Sequence, residues 1–194
     1  MESGCAILAG GPSKRMGRDK ATLAFGESTL IKQVYDVVRT VFSDIMVVSS
    51  LHKAIGGVDA PIVPDLFPFQ SPMVGVATAL IYSTKPSVFV VACDMPFLSA
   101  DAVRCVVSSA DSEDITIPMI NGLYEPLHAL YRRCCLAHFL RLIGLNKLKI
   151  TEILPYVAVK VIEDHPSFLR GESSVFYNIN TDKELSIFKA RERG

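Results

Sequence analysis

The chain has 194 residues, 49% of them hydrophobic and 21% charged, with 20 basic residues balanced by 20 acidic ones. That balance excludes a globally basic nucleic-acid surface and any net field that would recruit an anionic membrane, so affinity for anions has to be local. The size suits one soluble domain, 1–194, with enough core to fold alone, and no apolar run approaches the ~18 residues of a membrane span.

The N-terminus lacks the basic start and apolar core of a signal peptide. Cys5, Cys93, Cys105, Cys134 and Cys135 form no C-x-x-C pair and are odd in number. The first three sit in apolar runs, where thiols pack as small hydrophobes. This usage predicts a reduced, cytoplasmic protein without a zinc site.

In chain order, residues 4–8 form a near-continuous apolar run of the kind buried on both faces of a parallel sheet. The run ends in Ala9-Gly10-Gly11, and the loop that follows carries Lys14, Arg15, Gly17, Arg18 and Lys20. Ligands of α/β proteins bind outside the carboxyl ends of the strands. Glycines there let the backbone approach an anion, and successive N–H groups can form an anion-binding nest. Arg15 and Lys20 add charge. The spacing excludes a P-loop, because Gly17 is followed by Arg18 and Asp19 rather than Lys-Ser or Lys-Thr, and G-x-G-x-x-G is absent as well.

Leu30, Ile31, Val34, Val37, Val38 and Val41 recur at helical spacing and predict an amphipathic helix over 30–42. Residues 45–48 and 62–63 predict two further buried strands. The order of elements implies a doubly wound α/β sheet. A loop then leads from Pro64-Asp65 to Ser71-Pro72, which reads as an N-cap with proline at the first helical position of a helix to about residue 82. The positive end of that helix would face the glycine loop.

Residues 88–93 predict a central strand with Asp94 at its carboxyl end. Asp94 either caps a turn or meets a metal ion held with substrate phosphates, because a charge placed there is costly without a partner. Beside Gly10, Gly11 and Lys20 the metal reading is the stronger. Pro96 breaks the strand before a helix over 100–109. Strands follow at 115–119 and 124–131, then a helix at 136–143 and a strand at 157–162. His128, alone in an apolar strand, reads as a packed core residue, whereas His52, His138 and His165 read as surface residues. Arg132, Arg133 and Arg141 form either a solvated basic flank or a contact for an acidic substrate. Thr181 with Glu184 is a capping-box signature for a final helix from residue 182 to about 191.

Four of these elements, together with the Pro126-Leu127-His128-Ala129-Leu130-Tyr131 strand, resemble the molybdenum cofactor guanylyltransferases, the MobA family. Residues 8–20 are similar to that family's L-A-G-G-x-S-x-R-M-G-x-D-K signature, and Pro64-Asp65 with residues 71–75 to its P-D…G-P-L-A-G element. Cys93-Asp94-Met95-Pro96-Phe97 resembles C-D-x-P-[FY], and Asn178-Ile179-Asn180-Thr181-Asp182-Lys183-Glu184-Leu185 resembles N-x-N-T-P-E-x-L, here with Asp182 in place of the usual Pro. Ser71 stands where the family has glycine, Met73-Val74 where it has Leu-Ala, and Ser49 or Ser50 where it has asparagine.

The resemblance implies a single-domain, three-layer α/β/α fold with a mostly parallel Rossmann-like sheet, similar to nucleotide-diphospho-sugar transferases. It also implies a Mg²⁺-dependent transfer of GMP from GTP to the molybdopterin form of molybdenum cofactor, with pyrophosphate released. Arg15, Lys20 and Asp94 would be catalytic, with Asp94 the Mg²⁺ ligand. Gly10, Gly11 and Lys20 would hold the triphosphate, while Leu8, Ala9, Ser49, Asp65 and Gly75 would lie about the nucleoside, and Asn178 and Asn180 would support metal or phosphates. Glycine at position 10, where cytidylyl relatives tend to have alanine, leaves room for a purine. Asp65 could accept from guanine N1–H and its 2-amino group, which predicts GTP over CTP and ATP. Transient contact with cofactor-accepting oxidoreductases is implied, and neither nucleic acid nor membrane. Two alternatives stand beside this: a nucleotidyltransferase using CTP or a sugar-phosphate acceptor, and a non-catalytic nucleotide-binding protein that delivers cofactor.

Overall fold

The apolar residues of the first strand, β1 (Ser3–Leu8), point alternately into two cores. Cys5 and Ile7 join one, Ala6 and Leu8 the other, as the two-residue period of a strand requires. A strand buried on both faces can only lie inside a sheet covered by helices on both sides. The computed structural model, which describes residues 2–9, 24–25, 28–49, 55–170 and 173–177, has that form.

After β1 come the short β2 (Ala24–Phe25) and β3 (Ser28–Thr29), α1 (Leu30–Val38), β4 (Ile45–Val48), β5 (Ile62–Val63), α2 (Pro72–Tyr82), β6 (Ser87–Ala92) and α3 (Ala100–Ser109). The chain continues through β7 (Ile115–Ile120), β8 (Leu123–Tyr124), β9 (His128–Arg132), α4 (Leu136–Gly144), β10 (Val159–Glu163), β11 (Leu169–Arg170) and β12 (Ser173–Ser174). The main sheet has the order β10-β7-β9-β6-β1-β4-β5, with β8 paired to β7. β1 is parallel to β4 and β6, β4 to β5 and β10 to β7; β9 alone runs antiparallel to both its main-sheet neighbours. α1 and α3 pack on one face with Phe89 and Val91, α2 and α4 on the other with Val88 and Val90. The expected three-layer, mostly parallel α/β architecture is therefore present. Among the described residues no helix is long and apolar enough to cross a membrane.

Local sequence explains most boundaries. Ser71 Oγ accepts from the Val74 N–H at 3.3 Å and Pro72 occupies the first turn of α2. Thr29 and Ser99 cap α1 and α3 in the same way. α1 stops at Val38 rather than 42 because Thr40 and Val41 bond three residues back, to Val37 and Val38, and leave α geometry. The helical spacing of apolar residues persisted beyond it because Val41 and Phe42 still pack on the same core.

Two expectations are corrected. The stretch 124–131 is not one strand: β8 ends at Tyr124, residues 125–127 form a turn in which the His128 N–H donates to the Glu125 carbonyl at 3.0 Å, and β9 starts at His128. The strand expected at 157–162, β10, starts at Val159, two residues late, because a 3₁₀ segment, Ile150–Tyr156, precedes it.

His128 is a core residue, fully buried with its ring 4.9 Å from Phe89 and 4.7 Å from Phe176, and Phe168 beyond. Burial lowers its pKa to about 3, against a smaller opposing effect of the Ala102 backbone. Between that value and the ordinary 6.5, the unfolded chain binds a proton that the folded chain does not, so stability falls as pH falls. In urea unfolding this residue is expected to remove up to ~1.4 kcal/mol of stability per pH unit across that window. His128→Phe should abolish that component; an unchanged pH dependence in the variant would refute it.

Candidate functional site

A row of backbone hydrogen bonds stitches together the carboxyl ends of four adjacent strands. Cys93 N–H donates to Leu8 O at 3.1 Å, Ala9 N–H to Val48 O at 2.8 Å and Ser49 N–H to Val63 O at 2.9 Å. The chain therefore leaves β6, β1, β4 and β5 side by side, and the segments beginning at Asp94, Gly10, Ser50 and Pro64-Asp65 all start from one edge of the sheet. That is where a doubly wound fold binds ligands.

Asp94 follows β6 in a turn and is half-buried. The turn is anchored by buried Met95, Phe97 and Leu98, with Leu98 N–H bonded to Met95 O at 3.2 Å. Asp65 follows β5 after a single proline. Its neighbour Leu66 donates its N–H to Thr78 Oγ1 at 3.3 Å, and Thr78 is fully buried within α2. Half-burial raises the pKa of Asp65 above the ordinary carboxylate range, and among the described residues its carboxylate has no hydrogen-bond or ion-pair partner. The first turn of α2 is drawn against the same edge by Gly75, where a Cβ would stand 2.9 Å from Leu8 Cδ1. A shallow groove of 510 Å³ between the end of α1 and the start of β4, lined in part by Tyr35, Arg39 and Asp44, lies at the opposite edge.

The MobA-like NTP transferase domain matches residues 5–155, which include this whole edge. The chain belongs to that family. The probable molybdenum cofactor guanylyltransferase of Carboxydothermus hydrogenoformans is 34% identical over 96% of this chain and 97% of its own length. The molybdenum cofactor guanylyltransferase of Desulfosudis oleivorans is 31% identical over 95% of this chain and 93% of its own. Among solved structures, the molybdopterin-guanine dinucleotide biosynthesis protein A of Archaeoglobus fulgidus superposes with a TM-score of 0.82 at 23% identity, covering 98% of this chain and 100% of that one, which speaks for the fold.

In this MobA-like domain, Leu8, Ala9, Ser49, Asp65, Gly75 and Asp94 all lie at or against the carboxyl edge. Gly10, Gly11, Arg15, Lys20, Asn178 and Asn180, and the final helix expected over 182–191, lie outside the described residues. The structure alters the expected parts of several positions. The Ala9 N–H is spent in the sheet, and the Leu8 carbonyl already accepts from Cys93 N–H, which leaves it one lone pair. Ala9 O accepts from Ser49 Oγ at 3.3 Å and, with two lone pairs, can still take a second donor. Ser49 is fully buried and its hydroxyl ties β4 to β1. Gly75 has its N–H in the helix, bonded to Ser71 O at 3.2 Å, and serves close packing on Leu8.

The basic flank divides as well. Arg132 pairs with Ser87 at the amino end of β6, and its guanidinium bonds Ser112 O at 2.7 Å. Arg132 and its neighbour Arg133 thus lie at the edge opposite the site and do not meet a substrate there. Thr78 was not legible as a positioning residue, since one threonine in an apolar helix reads as filler. Glu125 was missed because it was read as part of a strand. It lies instead in the turn before β9, whose first residue pairs with Val91 at the carboxyl end of β6.

Proposed function

We propose that the chain transfers GMP from GTP to the molybdopterin form of molybdenum cofactor, giving the guanine dinucleotide form and pyrophosphate. The observation that carries this reading is the pairing, on one sheet edge, of Asp94 with a half-buried Asp65 that has no partner among the described residues. The near full-length similarity to proteins named molybdenum cofactor guanylyltransferases supports the choice of nucleotide and acceptor.

In this reaction an acceptor phosphate oxygen forms a bond to the α-phosphorus of GTP while the bond to the β-phosphate oxygen breaks and its electron pair leaves with pyrophosphate. A phosphate monoester is largely ionised at neutral pH, so no general base is needed. The task left to the protein is alignment and neutralisation of charge. Lys20 and Arg15, with the backbone at Gly10 and Gly11, would hold the triphosphate; Asn178 and Asn180 would support it.

Among the described residues no cluster of three or more His, Cys, Asp or Glu side chains could hold a metal ion. One hard carboxylate oxygen fits Mg²⁺ nonetheless, because that ion keeps several waters and is usually bound by one or two carboxylates and substrate phosphates. Asp94 is the residue that would hold it. Bound there, Mg²⁺ would neutralise charge on the phosphate oxygens. Asp65 would accept from the paired N1–H and 2-amino donors of guanine, an edge that adenine and cytosine lack, and the Ala9 carbonyl keeps a lone pair beside it. Passing the product to oxidoreductases in the cytoplasm by transient contact belongs to the same reading.

The test is turnover with purified protein, Mg²⁺, molybdopterin cofactor and each of GTP, CTP and ATP, with competition binding of the three. GTP is expected to be preferred in both. Comparable binding of all three, or faster turnover of CTP, would instead favour the cytidylyl reading; nucleotide binding without turnover would favour a delivery protein.

A further inference from the structure

The turn between β8 and β9 is held unusually firmly for an exposed edge. The Glu125 N–H donates to Pro118 O at 2.9 Å, the Glu125 carbonyl accepts from His128 N–H at 3.0 Å, and Leu127 O accepts from Ala92 N–H at 3.2 Å. The carbonyl between them, of Pro126, is gripped at 2.8 Å by the hydroxyl of Tyr131, a residue 1% exposed. Because β9 runs against β6, this turn sits at the carboxyl end of β6, on the edge that carries Asp94.

The rigid turn presents one ionisable side chain. The carboxylate of Glu125 is half-buried and has no hydrogen-bond or ion-pair partner among the described residues, so it takes no part in holding the turn. Loss of water raises its pKa to about 7. Burying an acceptor pair without donors costs stability, and a fold that keeps such a group on a preorganised turn is placed to recover the cost from a ligand. Leu123, 70% exposed, and Tyr124, 40% exposed, precede it and add apolar surface. Asp65, the other partnerless half-buried carboxylate of this edge, lies beyond β1 at the end of β5, whereas Glu125 lies beyond β6.

We propose that Glu125 selects the acceptor, accepting hydrogen bonds from the adjacent ring N–H and amino group of a pterin at the end of the sheet edge opposite to Asp65. This rests on the reading of the acceptor as molybdopterin. A pterin carries the same paired donor edge as guanine, so two carboxylates placed on either side of the β6 and β1 ends suit two heterocycles joined through their phosphates. The arrangement divides the site into a donor half and an acceptor half, with Asp94 between them.

The experiment compares Glu125→Gln and Glu125→Ala with the wild type in three measurements: the GTP dissociation constant without acceptor, the KM for molybdopterin cofactor at saturating GTP, and the thermal midpoint. Charge-assisted hydrogen bonds are the strong ones, so the acceptor KM is expected to rise ~30-fold or more in both variants. GTP binding should stay within about twofold and the midpoint should not fall, since no protein contact is lost. An acceptor KM within about twofold of wild type, or a GTP constant that rises in step with it, overturns the proposal. In either of those cases the wild type still transfers GMP and the functional reading survives. A wild type that binds GTP but uses no pterin acceptor overturns both.

Discussion

Asp94→Ala is expected to lower turnover ~10²–10³-fold with the fold retained, the usual consequence of losing one group that meets charge developing in a transition state. The position is favourable for such a test. The backbone before it is fixed by the Cys93–Leu8 bond at 3.1 Å, and the turn after it by buried Met95, Phe97 and Leu98. Truncation at Asp94 therefore removes a carboxylate without removing packing. Nucleotide binding by the variant should lose its response to Mg²⁺, and Asp94→Asn, which keeps shape but not charge, should be nearly as impaired. Lys20→Ala should show a loss of similar size through the triphosphate. Near-normal turnover in folded Asp94→Ala would remove the metal role.

Asp65→Asn is expected to lower kcat/KM for GTP ~10²-fold while leaving the weaker use of CTP and ATP within about threefold. In the proposed reading two hydrogen bonds to a charged acceptor would carry the preference, and each such bond is worth ~1.5–3 kcal/mol. The asparagine keeps one acceptor but turns an amide donor toward guanine's own donors, so discrimination is lost as well as affinity. Because Leu66 and Thr78 set the turn, Thr78→Val should produce a milder version of the same loss by loosening the carboxylate's position. A variant at Asp65 that retains full GTP selectivity would place guanine recognition elsewhere.

How much of this was legible in the chain depended on the range of the interaction responsible. Ser71-Pro72 located the start of α2 to the residue, because a cap and a proline act within one turn of backbone. The apolar run before Gly10 and the run before Asp94 located β1 and β6, and with them the site edge, because burial on both faces leaves a continuous hydrophobic signature.

What the chain concealed is set by pairing between distant residues. The Asn121-Gly122 dipeptide, with φ of 51° and 75°, makes the tight turn that joins β7 to β8, a local signal for a hairpin. Yet nothing local announces that residues 125–127, beyond β8, will cross to β6 and form a turn there. Leu8 and Ala9 likewise sit where the glycine loop pointed. Which of their polar groups the sheet engages depended on Val48 and Cys93, thirty-nine and eighty-five residues away, which bond the Ala9 N–H and the Leu8 carbonyl respectively. Gly75 stood in a motif, but its tightest contact is with Leu8, from another element.

The reversed direction of β9 has a bearing on how such a protein diversifies. A parallel strand offers the ligand edge the residues that follow it, and these lead into a crossover helix on which the layers depend. An antiparallel strand offers the residues that precede it, here a short hairpin arm between β7 and β9. Length and sequence can be altered in that arm while β1, β4, β5 and the helices they feed are left alone. On the proposed role of Glu125, a lineage could exchange one acceptor for another by remodelling a few residues of that arm, with the other end of the edge inherited unchanged.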